Sequence, residues 1–281
     1  MFDVISRSDP GGLPPLQRLR GRMEISAKLV AGHTRLDRLY QEGSAKARLP
    51  KTPGTALEAI LINTGGGMTG GDRLHVGVAA GAGAHLVATS QAAEKIYRSP
   101  QGEALMETRL EVGAGGRLDW LPQETILFQG GRFGRRLEAD VAADGALLIV
   151  ESTIFGRTAR GEEVTDGQFA DRWRVRRAGH LVFADTTRLE GDVATLLDRP
   201  AVAGGGRAVA ALLHVTGDAE ERLDAVRAVL EHHPAVEGGA SAWNGLLHAR
   251  LVARTGIVLR AALIDLLQIL RGQPMPRAWM C

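Results

Sequence analysis

Five glycines between positions 65 and 71, in LINTGGGMTGGDRLHVGV, do most to limit what this chain can become. Gly65, Gly67 and Gly70 spell the fingerprint of a dinucleotide-binding loop, and residues 57–62 before them read as a strand. That pattern receives pyrophosphate only where a helix N-terminus follows. Here Leu74, Val76 and Val78 alternate with Arg73, His75 and Gly77 at period two, so the chain leaves the glycines as a strand. Gly66 and Gly71 also have the spacing of a phosphate loop, but Asp72 occupies the lysine position and Arg73 the hydroxyl position. A carboxylate there repels phosphate. What is left is an acid-bearing turn between two strands, either a hairpin built on positive φ angles or a loop that presents Asp72. A nucleotide-dependent enzyme working through the loop from Gly65 to Gly71 stands as the alternative function.

Composition narrows the classes further. With 281 residues and 44% apolar content the chain can bury a substantial core. Lys and Arg number 34 against 32 Asp and Glu, a surplus too small for a nucleic-acid-binding surface. The single cysteine, Cys281, excludes an internal disulfide framework and any multi-cysteine metal site within one chain, which fits a reducing cytoplasm. Residues 1–12 show no signal-peptide pattern, and no window reaches the 18 or so apolar residues of a membrane span, so a soluble, unprocessed protein is expected.

The chain reads as one domain over residues 1–281, β-rich over 20–190 and mixed α/β over 191–281. In the first part short Val-, Leu- and Ile-rich runs are bounded by glycines. Met106, Thr108, Leu110 and Val112 alternate with Glu107, Arg109 and Glu111, and Trp173 and Val175 alternate with Arg172, Arg174 and Arg176. Each strand has one wet face. Leu147, Leu148, Ile149 and Val150 are apolar on both faces and belong between layers, so more than one sheet is stacked. Residues 218–230 put Ala219, Leu223, Val226 and Leu230 on one helical stripe. A second helix over 257–271 follows Thr255 as N-cap and precedes Gly272 as C′ residue; its wide apolar surface is either core or a face for a partner helix. Residues 208–215 and 246–254 read as strands between and beside these helices.

The 8 histidines are scattered without the spacing of a preformed zinc site. His75, on the polar side of the strand leaving the Asp72 turn, places an imidazole near a carboxylate, which suits a borderline metal such as Ni²⁺ or Zn²⁺. No serine sits in a nucleophile elbow, and no carboxylate pair has catalytic spacing. More telling are acids set among glycines or apolar residues: Asp72, Glu94, Glu124, Glu151, Glu162 and Asp171. Singly, each reads as a partner of a nearby arginine such as Arg157 or Arg172; together they could form an internal polar path that holds a cation weakly.

Six blocks in order, LINTGGGMTGGDRL, TSQAAEKIYR, LDWLPQETILFQGGRF, ESTIFGRTARGE, FADRWRVRRAG with its Asp171–Arg172 pair, and the terminal PMPRAW, give the sequence a specific likeness. In them it resembles the urease accessory protein family called UreD, or UreH in some organisms. Thr89, Ser90 and Gln91 stand where the family has a Thr-Thr-Gln run, and the position of Glu94 often carries another residue. The resemblance implies a mainly β fold, a stacked-sheet or β-helix-like body with a few α-helices toward the C-terminus. It implies a non-enzymatic, cytoplasmic scaffold in nickel delivery that bridges apo-urease and UreF, with UreF recruiting the GTPase UreG. It further implies transient passage of Ni²⁺ along an internal route, with no tightly bound cofactor. Oxygen ligands and an occasional imidazole suit such transit, whereas thiolates would trap the metal. By this carry-over Asp72, Glu151, Glu162 and Asp171 line the route, and Gln91 and Lys95 support it.

Overall fold

The computed structural model describes residues 17–280. The N-terminal segment 1–12 and the Cys281 thiol lie outside the described residues. Among the described residues there are seventeen strands: β1 (Arg20–Val30), β2 (His33–Gly43), β3 (Ala45–Arg48), β4 (Leu57–Asn63), β5 (Arg73–Ala80), β6 (His85–Ser90), β7 (Glu94–Ile96), β8 (Ala104–Val112), β9 (Arg117–Leu121), β10 (Thr125–Leu127), β11 (Arg132–Val141), β12 (Ala146–Phe155), β13 (Gly167–Arg177), β14 (His180–Gly191), β15 (Ala208–Val215), β16 (Val236–Trp243) and β17 (Leu246–Ala253). Between and after the last of these come α1 (Val193–Asp198), α2 (Leu223–Glu231) and α3 (Gly256–Arg271).

The strands form two sheets, and from β4 to β13 the chain crosses from one to the other. A seven-stranded sheet has the order β14-β13-β11-β8-β5-β1-β2, and a ten-stranded sheet contains the path β16-β17-β15-β12-β9-β6-β4-β3. Interior neighbours β1, β5, β8, β11 and β13 run parallel, as do β4, β6, β9 and β12. Each circuit thus adds one strand to each sheet, a solenoid-like coil of stacked sheets, as the β-rich reading anticipates. A short third side forms where β7 pairs with β10 and β10 with the end of β12, setting Lys95, Ile126 and Ile154 abreast. The seven-stranded sheet ends in antiparallel pairs, β1 with β2 and β13 with β14, and each carries a register shift, at Ser26/Ala27 and at Val175/Arg176. The glycine loop between β4 and β5 is therefore not a hairpin. It carries the chain from one sheet to the other, with positive φ at Gly66, Gly67 and Gly71.

Strand β12 shows how the layers are fixed. Leu147 and Ile149 enter the core between the sheets, while Leu148 and Val150 enter a second core under the helices. Four apolar residues in succession leave no polar face, so the strand is stable only as a middle layer. On β8 and β13 the alternation holds: Thr108, Leu110, Val112, Trp173 and Val175 are buried, and Arg109, Glu111, Arg172 and Arg174 are exposed.

The wide stripe of α3 is core. Leu259, Leu263, Leu266, Leu267 and Leu270 are buried with Leu212, Leu247 and Leu251 of the ten-stranded sheet. The Thr255 hydroxyl accepts from Val258 N–H, and Gly272 takes the left-handed conformation at φ 61°. The helix expected over 218–230 opens as a 3-10 turn at Glu220–Arg222 and becomes α-helical at Leu223. Ala219 and Val226 are fully buried, so the stripe faces inward as read. No helix among the described residues is long and apolar enough to cross a membrane.

Candidate functional site: a polar cavity between the sheets

Of the positions singled out in the sequence, Asp72, His75, Glu162 and the pair Glu151 and Asp171 fall in four separate neighbourhoods. Asp72 is buried, and its carboxylate accepts from Leu19 N–H and Thr69 N–H, both at 2.8 Å. It closes the glycine turn; the expectation of a loop presenting Asp72 is corrected, because two backbone donors occupy its oxygens. The loop is equally committed elsewhere: N–H groups of Gly65, Gly66, Met68 and Gly71 donate to acceptors of residues 63, 63, 95 and 103. Leading into β5 and with these donors spent, it offers phosphate neither a helix N-terminus nor a cradle. Gly70 explains its own glycine: a Cβ there would stand 2.1 Å from the Gln101 carbonyl oxygen and 1.8 Å from Ser99 Oγ. Gly70→Ala should cost about 1–3 kcal/mol in urea titrations, as overpacking does; a loss near zero would show that residues 99–102 yield.

His75 lies on the outer face of the seven-stranded sheet, half exposed, with Nδ1 3.0 Å from Glu107. Its partner is this glutamate on β8, not Asp72. Glu162 belongs to a third neighbourhood, where it accepts from Arg157 Nε at 2.9 Å and from Gln129 N–H at 3.3 Å. That pairing with Arg157 is the one the sequence points to.

Glu151 and Asp171 do come together, through a residue the sequence reading passed over. Arg135 on β11 donates through Nη1 to Glu151 Oε2 at 2.5 Å, and through Nε and Nη2 to the two Asp171 oxygens at 3.1 and 2.6 Å. Trp120 Nε1 donates to Glu151 at 2.9 Å and Trp173 Nε1 to Asp171 at 3.1 Å. The partner of Asp171 is thus Arg135, since period two turns Arg172 outward to solvent. All three charged groups are buried. They span the gap between the sheets, Glu151 from the ten-stranded one and Arg135 and Asp171 from the seven-stranded one.

Beside this cluster lies a cavity of about 150 Å³ walled by Glu94, Asn63, Trp120, Gln123, Thr125 and Glu151 among others. Exposed Gly66 and Gln91 also line it, so it reaches solvent at that end. Glu94 accepts from Asn63 Nδ2 at 3.1 and 3.2 Å. Burial pushes the Glu94 carboxyl up to about 7, against the pull of the Asn63 amide. Burial likewise pushes Glu151 up to about 7, opposed chiefly by the Arg135 guanidinium. Burial would lower Arg135, yet the Asp171 and Glu151 charges outweigh it and raise its pKa, so it stays charged. Glu94 and Glu151 share this wall with the amide and hydroxyl groups of Asn63, Gln123 and Thr125, a set of oxygens whose chemistry would suit only weak, proton-coupled contact with a cation. Among the described residues, no three His, Cys, Asp or Glu side chains gather as a closed metal site. Lys95 and Gln91 both line the cavity.

The sequence matches the model of the family described as "UreD urease accessory protein" over residues 19–280. The chain belongs to the UreD urease accessory protein family. Relatives named urease accessory protein UreD include one from Methylobacterium sp. (strain 4-46), 49% identical over 271 residues that cover 95% of this chain and 96% of the relative. Another, from Rhizobium etli, is 49% identical over 264 residues, 94% of this chain and 96% of its own. A third, from Brucella suis (strain ATCC 23445 / NCTC 10510), is 47% identical over 266 residues, 94% and 95% of the two chains. Membership in the UreD family implies urease maturation, and these relatives are named accessory proteins. Of the residues that make the cavity and the charged bridge in this UreD family member, Glu94, Glu151 and Asp171 were legible as acids in unusual settings. Arg135 was not, because RFGRRLE reads as an ordinary alternating strand with exposed arginines.

Proposed function

We propose that this protein is a non-enzymatic scaffold of urease maturation that binds apo-urease and UreF in the cytoplasm, reaches UreG through UreF, and passes Ni²⁺ along its polar interior toward the urease active site. The observation that carries the route is the solvent-reaching cavity with Glu94 and Glu151 on its wall. A cation entering at Gly66 and Gln91 meets Glu94 and then Glu151, and in both cases binding releases a proton. The Arg135 bridge bounds the path beyond Glu151 and fixes that carboxylate's orientation. Asp72 and Glu162 hold loops in place on this reading, and His75 stands outside the route. Nickel is cargo here, and oxygen ligands let it leave.

The test is co-expression with apo-urease, UreF and UreG under limiting nickel. Glu94→Gln with Glu151→Gln should lower the nickel content of recovered urease severalfold while UreF still co-purifies. Full nickel loading by that variant would remove the route and leave only the scaffold. Normal urease maturation with the whole chain omitted would remove the scaffold as well.

A further inference from the structure

The outer face of the seven-stranded sheet is dressed as a soluble surface should be, with paired charges such as Arg22–Glu24, His75–Glu107, Arg136–Glu107 and Arg109–Glu111. The short ladder of β7, β10 and β12 is dressed differently. Its outward row is Lys95, Ile126 and Ile154, set abreast by the register. Just beyond stand Tyr97, 40% exposed, and Phe128, packed edge to face at 5.2 Å. The Arg157 guanidinium lies over the Phe128 ring at 4.5 Å. These residues, with Thr158, Ala159 and Arg160, line one open groove. Ile257, 84% exposed, is the neighbour in sequence of Gly256, which itself packs against Ile154. An aliphatic and aromatic row on a solvated sheet face loses burial it could gain from a partner, and Tyr, Phe and Arg together are the side chains that anchor protein interfaces.

The charges say what kind of partner. Lys95, Arg157 and Arg160 line the groove, and Glu162, half-hidden behind Arg157, is among the described residues the one acid bonded to any of them. The nearby Glu124 is engaged by Arg260. The groove is therefore net cationic around an apolar centre. We propose that this face is the docking surface for an acidic protein partner that inserts an aliphatic or aromatic anchor against Tyr97, Phe128 and Ile126. The assignment rests on the scaffold reading above. Lys95 lines both this groove and the interior cavity, so the docked partner sits at the wall of the proposed route.

Purified UreF and purified apo-urease, each titrated separately onto the immobilised full chain, test this. Tyr97→Ala and Arg160→Glu should each weaken one of the two partners at least tenfold and spare the other, with the Arg160→Glu effect shrinking at high salt. Arg109→Glu, on the outer face of the seven-stranded sheet, should change neither, and thermal melting should show all three variants folded. Unchanged affinity for both partners would overturn the docking surface while leaving the scaffold intact. Binding of neither partner by the unmodified chain would overturn the scaffold reading and the surface with it. Self-association of the unmodified chain in sedimentation, abolished by Tyr97→Ala, would assign the face to a second copy and overturn the proposal too.

Discussion

Arg135→Met is expected to lower stability at neutral pH by about 3–5 kcal/mol, the cost of leaving buried charges without their partner. Against a usual total of roughly 5–15 kcal/mol, that brings the protein close to its unfolding threshold. The reason is stoichiometric. One guanidinium serves two carboxylates, Glu151 and Asp171, and all three groups are buried. Methionine fills the volume of the stem but leaves both acids to face each other across the sheets. The loss should depend on pH. In the intact protein Glu151 is held near 7, above its value in an unfolded chain, so the folded state binds the extra proton. Its contribution is fully present below about pH 4.5 and is lost as pH rises through about 7. Without Arg135 the burial of Glu151 is opposed only by the Trp120 hydrogen bond, and its carboxyl rises further. The deficit of the variant is therefore smallest near pH 5 and largest at pH 8, and Glu151→Gln added to it should restore part of the loss. Urea titrations at the two pH values decide the matter: equal deficits at both, or a deficit below about 1 kcal/mol, would mean that water already shields the two acids.

Asp119→Asn should rank beside it, with a loss of about 3–5 kcal/mol, and its effect should be local before it is global. Asp119 is fully buried. It accepts from Arg117 Nε and Arg271 Nε, both at 3.0 Å, and lies 3.3 Å from His85 Nε2. Burial alone would raise its pKa, but the His85 hydrogen bond and the Arg117 and Arg271 charges hold it well below the usual carboxylate range. Arg271 ends α3, its own carbonyl accepts from Arg117 Nη2 at 3.1 Å, and its Nη1 also donates to the Pro274 carbonyl. One anion thus pins the C-terminal end of α3 and the segment after it to β9. An amide in its place keeps the shape and removes the charge, leaving two guanidinium groups at the sheet–helix junction. Hydrogen exchange should show α3 losing protection while β5 and β8 keep theirs. Unchanged protection in α3 would mean that its leucine face alone holds it, Asp119 being dispensable there.

Both sites show where a linear reading works and where it stops. Period two at residues 106–112 and 172–176, the unbroken apolar run at 147–150, and Thr255 and Gly272 around α3 are local signals, so strands, layering and helix ends were readable from them. β16 was not: with Gly238 and Gly239 in it and only Val236, Ala240 and Ala242 on its inward side, VEGGASAW carries an alternation too weak to read. α1, six residues long, is too short to show a helical stripe. The charged bridge was unreadable for another reason. Arg135 meets Glu151 and Asp171 only because parallel register sets β11 beside β13 while the two sheets stack face to face. Asp72 was found by its setting but not with its partners, since nothing in GGDRL announces that Leu19, 53 positions earlier, donates to it.

The ends of the seven-stranded sheet carry a consequence of their own. A coil of parallel strands has no intrinsic length: whatever lets β8 lie on β5 would let a foreign strand lie on the last rung, and stacked copies would grow into a fibre. Here the terminal hairpins reverse direction, and each contains a register slip that bends its outer strand away from a flat template. Strand β2 adds Arg35, Asp37, Arg38 and Glu42 along nearly its whole exposed length. The body is thereby given a fixed number of rungs.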